Sequence, residues 1–277
     1  MNNRVSILDS YDTCREFAEG FQDDPEFSDP MLVNEEHIRC NLKKAFDKPE
    51  RYTVLGVFRN DMMVGLFNFL VLSDEQYIEM IVGLSRDREA YEEILLYLEK
   101  NYPSYDVDFV FNPRNYLLTE LLKKRGADFE PEQLKMVWNA RLPEVDTVGI
   151  ELFSEQYAQQ YFKIHNQDMY WTGEKVAAAP ERFRTLLAIH EGKVAGYIDV
   201  THCFEENEPY DLFVLKEYRR MGYGRKLLAS ALELNRPKGM MLLVDIDNEA
   251  AIQLYESMGF EKNEKQNNVT VHWKVPV

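Results

Sequence analysis

The chain has 277 residues, 45% of them apolar and 13% aromatic, which is enough to bury two ordinary globular cores. Its 48 acidic and 32 basic residues leave a formal charge of −16, a balance that repels nucleic acid and anionic lipid wherever positive charges do not cluster. No apolar run of about 18 residues is present and the opening stretch MNNRVSILDSYDTC has no continuous apolar core, so neither a membrane span nor a signal peptide is expected. Cys14, Cys40 and Cys203 are scattered without a CxxC pair. They read as reduced thiols of a cytoplasmic protein, not as a disulfide framework or a zinc site, and no metal is expected.

Taken in chain order, the predicted elements come twice. LGVFRNDMMVGLF (55–67) predicts a hairpin with a polar turn and a glycine, Gly65, on the return strand. IEMIVGLSRDREAYEEILLYL (78–98) predicts a strand leading into a helix, and NYLLTELLKKRGADF (115–129) a helix closed by Gly126. After the polar, proline-bearing ARLPEVDTV (140–148) the series restarts. LLAIHEGKVAGYI (186–198) repeats the hairpin at an offset of 131 residues, with Gly196 in the place of Gly65. YDLFVLKEYRRMGYGRKLLASAL (210–232) repeats the strand and helix, Leu227 and Leu228 matching Leu95 and Leu96 at an offset of 132. NEAAIQLYESMGFEK (248–262) repeats the last helix, Asn248 matching Asn115 and Gly259 matching Gly126 at 133. Chance similarity does not hold register over three anchors, so the chain reads as a tandem duplication divided at 1–140 and 141–277.

One strand-to-helix turn stands out. EYRRMGYGRKLL (217–228) sets Gly222 and Gly224 among Lys216, Arg219, Arg220, Arg225 and Lys226, the clearest basic cluster of an acidic chain. Glycine lets bare backbone approach a ligand, and a helix N-terminus offers unpaired N–H groups with a partial positive charge. Strand, basic glycine turn and helix together make a pyrophosphate cradle. The P-loop GxxxxGK[ST] and the dinucleotide GxGxxG are both absent. Arg219-Arg220-Met221-Gly222-Tyr223-Gly224 instead resembles the [RQ]xxGx[GA] signature of the GNAT superfamily of N-acetyltransferases, and NEAAIQLYESMGF resembles that family's following NxxAxxLYxxxGF segment. Lys216 stands where many members have proline.

The resemblance implies an α/β fold: two tandem GNAT folds, each a mixed sheet with helices on both faces. It implies acetyl-CoA as co-substrate. The backbone of Leu212, Phe213 and Val214 would pair with the pantetheine arm. Arg219, Arg220, Met221, Gly222, Tyr223, Gly224 and Arg225 would hold the pyrophosphate, and Asn248 would reach the arm or cap its helix. In the earlier copy the residues matching Arg219, Gly222 and Gly224 are Asp87, Ala90 and Glu92, and Leu122 matches Tyr255. That copy is therefore expected to be degenerate, a folding partner and wall of the substrate cleft, the alternative being a regulatory small-molecule site.

Acetyl transfer to an amine needs a neutral nucleophile, a stabilised oxyanion and a protonated leaving thiolate. Tyr255 suits the last. For the base, Asp199, His202, Glu208, Asp211 and Asp245 are all open, with Asp211 and Asp245 favoured; strand alternation puts Asp211 and Phe213 on one face without saying which face meets substrate. Tyr170 and Trp171, in the loop where such relatives admit the acceptor, are candidates to clamp an apolar or cationic group. The expected partner is a small-molecule or peptide amine attacking directly in a ternary complex, with no nucleic acid and no membrane, in a monomer. The rival readings are an acyl-CoA-binding sensor or scaffold without turnover, and an interaction protein that keeps only the fold.

Overall fold

A computed structural model describes residues 3–21, 35–167, 171–203 and 206–277. Along the chain run β1 (Asn3–Ile7), α1 (Arg15–Glu19), α2 (Glu35–Asp47), β2 (Tyr52–Arg59), β3 (Met62–Leu72), β4 (Tyr77–Leu84), α3 (Arg88–Asn101), β5 (Asp106–Phe111), α4 (Tyr116–Lys124), β6 (Asp128–Phe129) and β7 (Gln133–Trp138). Then come β8 (Ile150–Leu152), α5 (Ala158–Ile164), α6 (Gly173–Ala177), β9 (Phe183–His190), β10 (Lys193–Thr201), β11 (Glu206–Asn207), β12 (Pro209–Val214), α7 (Tyr223–Asn235), β13 (Gly239–Asp245), α8 (Glu249–Ser257), β14 (Phe260–Lys262) and β15 (Val269–Lys274). Among the described residues no helix is long and apolar enough to cross a membrane.

Two compact units result: residues 1–134 together with 264–277, and residues 135–263. This differs from a cut at 140/141 at both ends. In the first unit the strands run β1-β2-β3-β4-β5-β15-β6 in one sheet. In the second they run β8-β9-β10-β12 and β11-β13-β7-β14 in two sheets. Matched strand for strand, β15 holds in the first unit the place that β7 holds in the second. Each copy is thus completed by the strand that follows the other copy's last helix. The reason is burial: Val269, Val271 and Trp273 of β15 are at most 6% exposed and belong to the first unit's core with Phe109, Phe111, Leu118 and Leu122. β15 runs antiparallel to β5 from Val269↔Phe111 to Lys274↔Asp106.

The helices repeat in detail. Asn115 caps α4 by accepting from the Leu118 N–H at 3.2 Å, and Asn248 caps α8 by accepting from Ala251 at 3.2 Å. Gly126 (φ +70°) and Gly259 (φ +90°) then stop those helices in the left-handed conformation that glycine tolerates. Apolar residues at helical spacing bury α3 through Ile94, Leu95 and Leu98, and α7 through Leu227, Leu228, Ala231 and Leu232.

The copies differ where β4 and β12 end. In the first unit β4 pairs in parallel with β5 from Tyr77↔Asp106 to Met80↔Phe109, so the sheet is continuous. In the second unit the corresponding strand is split. The short β11 pairs with β13 through Glu206↔Gly239 and Asn207↔Met240, whereas β12 pairs only with β10 and forms the edge of its sheet. A slot therefore opens between β12 and β13, its β12 side lined by main-chain groups without a strand partner.

Candidate active site

The turn after β12 comes at the mouth of this slot. Arg220 (φ +64°) and Gly222 (φ +87°) are both left-handed, and such alternation of hand makes successive N–H groups converge. Gly222 caps α7, and the first α7 amides are the ones that an α-helix leaves unpaired. A Cβ added at Gly222 would meet nothing within 4 Å, so this glycine is required for its φ and not for space. Gly224 has no such φ; it lies within α7, and its Cβ would make an ordinary 3.5 Å contact with Leu254. Arg220, Met221 and Arg225 are exposed at the turn. The Arg219 Nε donates to the Val214 carbonyl (3.0 Å), and its guanidinium lies over the Phe213 ring at 5.9 Å. Lys226 is held by Asp146 (3.2 Å) and the Val148 carbonyl (3.2 Å). Tyr223 contributes its main chain to the turn, since its hydroxyl lies 2.6 Å from His190 Nδ1.

Beside the slot, one face of the β9-β10-β12 sheet carries a buried polar group of residues. Register places Thr185, Asp199 and Asp211 side by side on successive strands, with Leu187, Tyr197 and Phe213 in the next row. Asp199 is fully buried and accepts from the Tyr161 hydroxyl (2.9 and 3.0 Å) and from the Thr185 hydroxyl (2.5 Å). His165, at the end of α5, sets Nε2 3.0 Å from the same carboxylate. Tyr197 donates to Asp211 at 2.6 Å and stacks its ring on His165 at 4.9 Å and 13°. Donor atoms of His165, Asp199 and Asp211 lie within 4.8 Å of one another. Both oxygens of Asp199 are already engaged, so the arrangement is that of a hydrogen-bonded network.

The settings of the candidate acids and bases diverge. Burial raises the Asp211 carboxyl above the usual carboxylate range, against the pull of its Tyr197 hydrogen bond and with the push of the Asp199 charge. Burial pushes the Tyr255 phenol up to about 12, and the Asp211 charge acts in the same direction. Two of the three sequence-level catalytic candidates, Tyr255 and Asp211, are therefore close enough to sense each other. The third, Asp245, ends β13 and its carbonyl accepts from the Asn248 N–H at 2.9 Å. Glu208 is raised by burial, against Arg182 and Lys135. His202 sits with Arg184 (2.6 Å) and the Pro180 carbonyl (2.9 Å).

A β-bulge adds an aromatic wall. Asp199 pairs with Asp211 and Val200 with Pro209, which leaves Tyr210 as the extra residue. Tyr210 packs on Phe183 (5.6 Å), and Phe183 on Trp171 (5.0 Å). Arg182 covers Trp171 at 5.0 Å. Tyr170 lies outside the described residues.

Residues 150–260 match the family model "Acetyltransferase (GNAT) family". The match lies within the second unit, which is similar to GNAT acetyltransferases over those residues. Over 85 residues the chain is 32% identical to the [ribosomal protein bS18]-alanine N-acetyltransferase of Escherichia coli K12, a match covering 30% of this chain and 57% of that relative's length. Among solved structures, a tandem GNAT protein from the clavulanic acid biosynthesis pathway superposes with a TM-score of 0.64 at 13% identity, covering 100% of this chain and 99% of the other. A GCN5-related N-acetyltransferase from Sphaerobacter thermophilus gives 0.66 at 12% identity, covering 99% and 96%. At such identities these structures establish the fold, two tandem GNAT folds along the whole chain.

Asp211 and Phe213 share the face of the sheet that carries Tyr197 and Asp199, where Phe213 packs with Tyr161 and Tyr197. Asn248 caps α8. Sequence reasoning missed His165, Tyr161, Tyr197 and Thr185. The available signal was alternation in GYIDVT, which puts Tyr197, Asp199 and Thr201 on one face of an interior strand, too polar for an ordinary core.

In the first unit the corresponding helix end is already filled. Only residues 85–87 link β4 to α3, against 215–222 between β12 and α7. The Asp87 carboxylate accepts from the N–H groups of Glu89 (2.8 Å) and Ala90 (3.2 Å), where an anion would otherwise bind, and pairs with Arg59 at 2.7 Å. Glu92 is taken up by Arg125 at 2.7 Å.

Proposed function

We propose that the second unit is an acetyl-CoA-dependent N-acetyltransferase acting on a primary amine of a small molecule or peptide. The observation that carries this reading is the conjunction of an unpaired β12 edge with a left-handed glycine turn at the head of α7, following the strand that also carries Asp211, whose charge Tyr255 senses. Acetyl-CoA would supply an acetyl group activated as a thioester. The turn from Arg219 to Arg225 would receive its pyrophosphate on main-chain N–H groups, with the arginines adding charge. The free edge of Leu212, Phe213 and Val214 would align its arm.

Asp211 is fitted to take the acceptor's proton. Its raised carboxyl range brings it nearer to neutrality, where a general base works best. Tyr255, at about 12, keeps its phenolic proton at neutral pH and so has one to give at Oη to the departing sulfur. The Trp171, Phe183 and Tyr210 cluster would form an apolar flank for the acceptor. The first unit would contribute no acyl-CoA chemistry, because its Asp87 occupies the helix end and is repelled by phosphate. A cytoplasmic location is part of this reading, since Cys14, Cys40 and Cys203 are thiols and not disulfides.

The test has two arms. Acetyl-CoA added to the purified protein should raise its melting temperature as a ligand of the folded state does. Thiol release should then be followed across a panel of amines that includes an alanine-led peptide, the acceptor type in the name of the E. coli relative. Binding without turnover on any amine favours the sensor reading; no binding removes the proposal.

A further inference from the structure

His165 has an acceptor on each side of its ring. Its Nδ1 lies 3.0 Å from the Asn166 carbonyl oxygen, which can only accept, so Nδ1 carries a proton. Its Nε2 lies 3.0 Å from an Asp199 oxygen. One more proton must lie on that line. The Tyr161 and Thr185 hydroxyls also donate to Asp199, so both of its oxygens already serve as acceptors. The proton therefore belongs to the ring.

The strand register makes this charge necessary. Asp199 and Asp211 stand directly opposite each other on β10 and β12, and like charges in that relation repel. Among the described residues, the charged and titratable groups facing His165 are Tyr161 on α5, Tyr197 and Asp199 on β10, and Asp211 on β12; Tyr255 of α8 senses Asp211 from beyond. Thr185 of β9 adds only a neutral hydroxyl, and α6 presents Gly173 to the ring. His165 is the one cation in this described set.

We infer that His165 is a buried imidazolium that neutralises Asp199, so that Asp211 remains the single net negative charge of this face and stays free to accept a proton from a cationic amine. This rests on the reading of Asp211 as the proton acceptor. His165 is a positioning residue, acting through Asp199 and through the stacked Tyr197 that donates to Asp211. Burial opposes the charge on the ring, and the Asp199 hydrogen bond together with the Asn166 carbonyl overcomes it and raises the ring above the ordinary histidine range.

The inference has a readout independent of catalysis. Nitrogen NMR of the whole protein at pH 8, with the His165 signals assigned by their loss in His165→Gln, should show both ring nitrogens protonated. A singly protonated ring overturns the inference. So does stoichiometric metal in the wild-type protein that is absent from the variant. The second arm is the pH profile of kcat/KM. Removing the cation leaves two neighbouring carboxylates that must share a proton. The acid limb of His165→Gln should move up by a pH unit or more, with at least a tenfold loss on the acid side and recovery in alkali. The charge-balanced His165→Gln/Asp199→Asn pair should bring the limb back. A limb that does not move in the single variant, or does not return in the double, overturns the inference. If no amine is acetylated the functional proposal fails alone, and the ring protonation still decides this one.

Discussion

The two glycines of the RRMGYG turn make different demands, and the difference can be measured. Gly222 sits at φ +87° with open space around the position of a Cβ, so Gly222→Ala meets no clash and pays only for its backbone. Holding an L-residue in the left-handed region costs about 1–2 kcal/mol. If the Gly222→Ala variant keeps the native turn, stability falls by about that amount. If the turn relaxes to negative φ, the convergent N–H groups are lost, and restoring them on binding costs affinity by a factor of about 5–30, since each 1.4 kcal/mol is tenfold. Gly224 lies in α7 with no positive φ, and its Cβ would sit 3.5 Å from Leu254. Gly224→Ala removes unfolded-state freedom inside a helix and should raise stability by roughly 0.5–1 kcal/mol. Its acetyl-CoA affinity should stay within a few-fold of wild type. Urea unfolding and calorimetric titration with acetyl-CoA on both variants measure all four quantities. Equal loss of affinity in the two, or full tolerance of Gly222→Ala, would refute the claim that the left-handed conformation at 222 builds the cradle.

Three further outcomes follow from the same geometry. Tyr255→Phe should lower kcat by at least tenfold while leaving the acetyl-CoA dissociation constant nearly unchanged; an unchanged kcat removes the phenol from proton transfer. In the first unit, Asp87→Ala should cost about 1 kcal/mol more than Asp87→Asn, because asparagine keeps an oxygen for the α3 cap and alanine does not. Burial works against the Asp87 charge, but the Arg59 pair and the α3 amides outweigh it and hold the carboxyl below its usual range. Its stabilising contribution is therefore complete above the ordinary carboxyl pKa of about 4 and is lost as pH falls through the lower folded value, so the asparagine variant should show a shallower loss of stability in that acid window. Deleting residues 264–277 should abolish cooperative unfolding of the first unit, because β15 stands between β5 and β6 and buries Val269, Val271 and Trp273; a truncated protein with an intact two-unit melt would contradict this.

What was legible in the sequence was local. Leu227, Leu228, Ala231 and Leu232 announce a helix face by spacing, Asn115 and Asn248 announce caps, and Gly126 and Gly259 announce stops, because each effect acts within four residues of its cause. The duplication was legible for the same reason, since every anchor is a local signal occurring twice. The strand exchange was not. Nothing in VTVHWK distinguishes a strand that closes its own copy from one that closes the other; only the alternatives for covering Phe109 and Phe111 decide it, and they lie more than 150 residues upstream. The candidate site divides along the same line. The glycine turn was visible because its chemistry is main chain and contiguous. The partnership of Asp199 and Asp211 depends on a register set by a bulge at Tyr210, and a shift of one residue would have put the two carboxylates on opposite faces. That bulge is the physical step that sets an ordinary strand pair apart: it brings two carboxylates within 4.8 Å of one histidine, a charge arrangement that the fold must compensate.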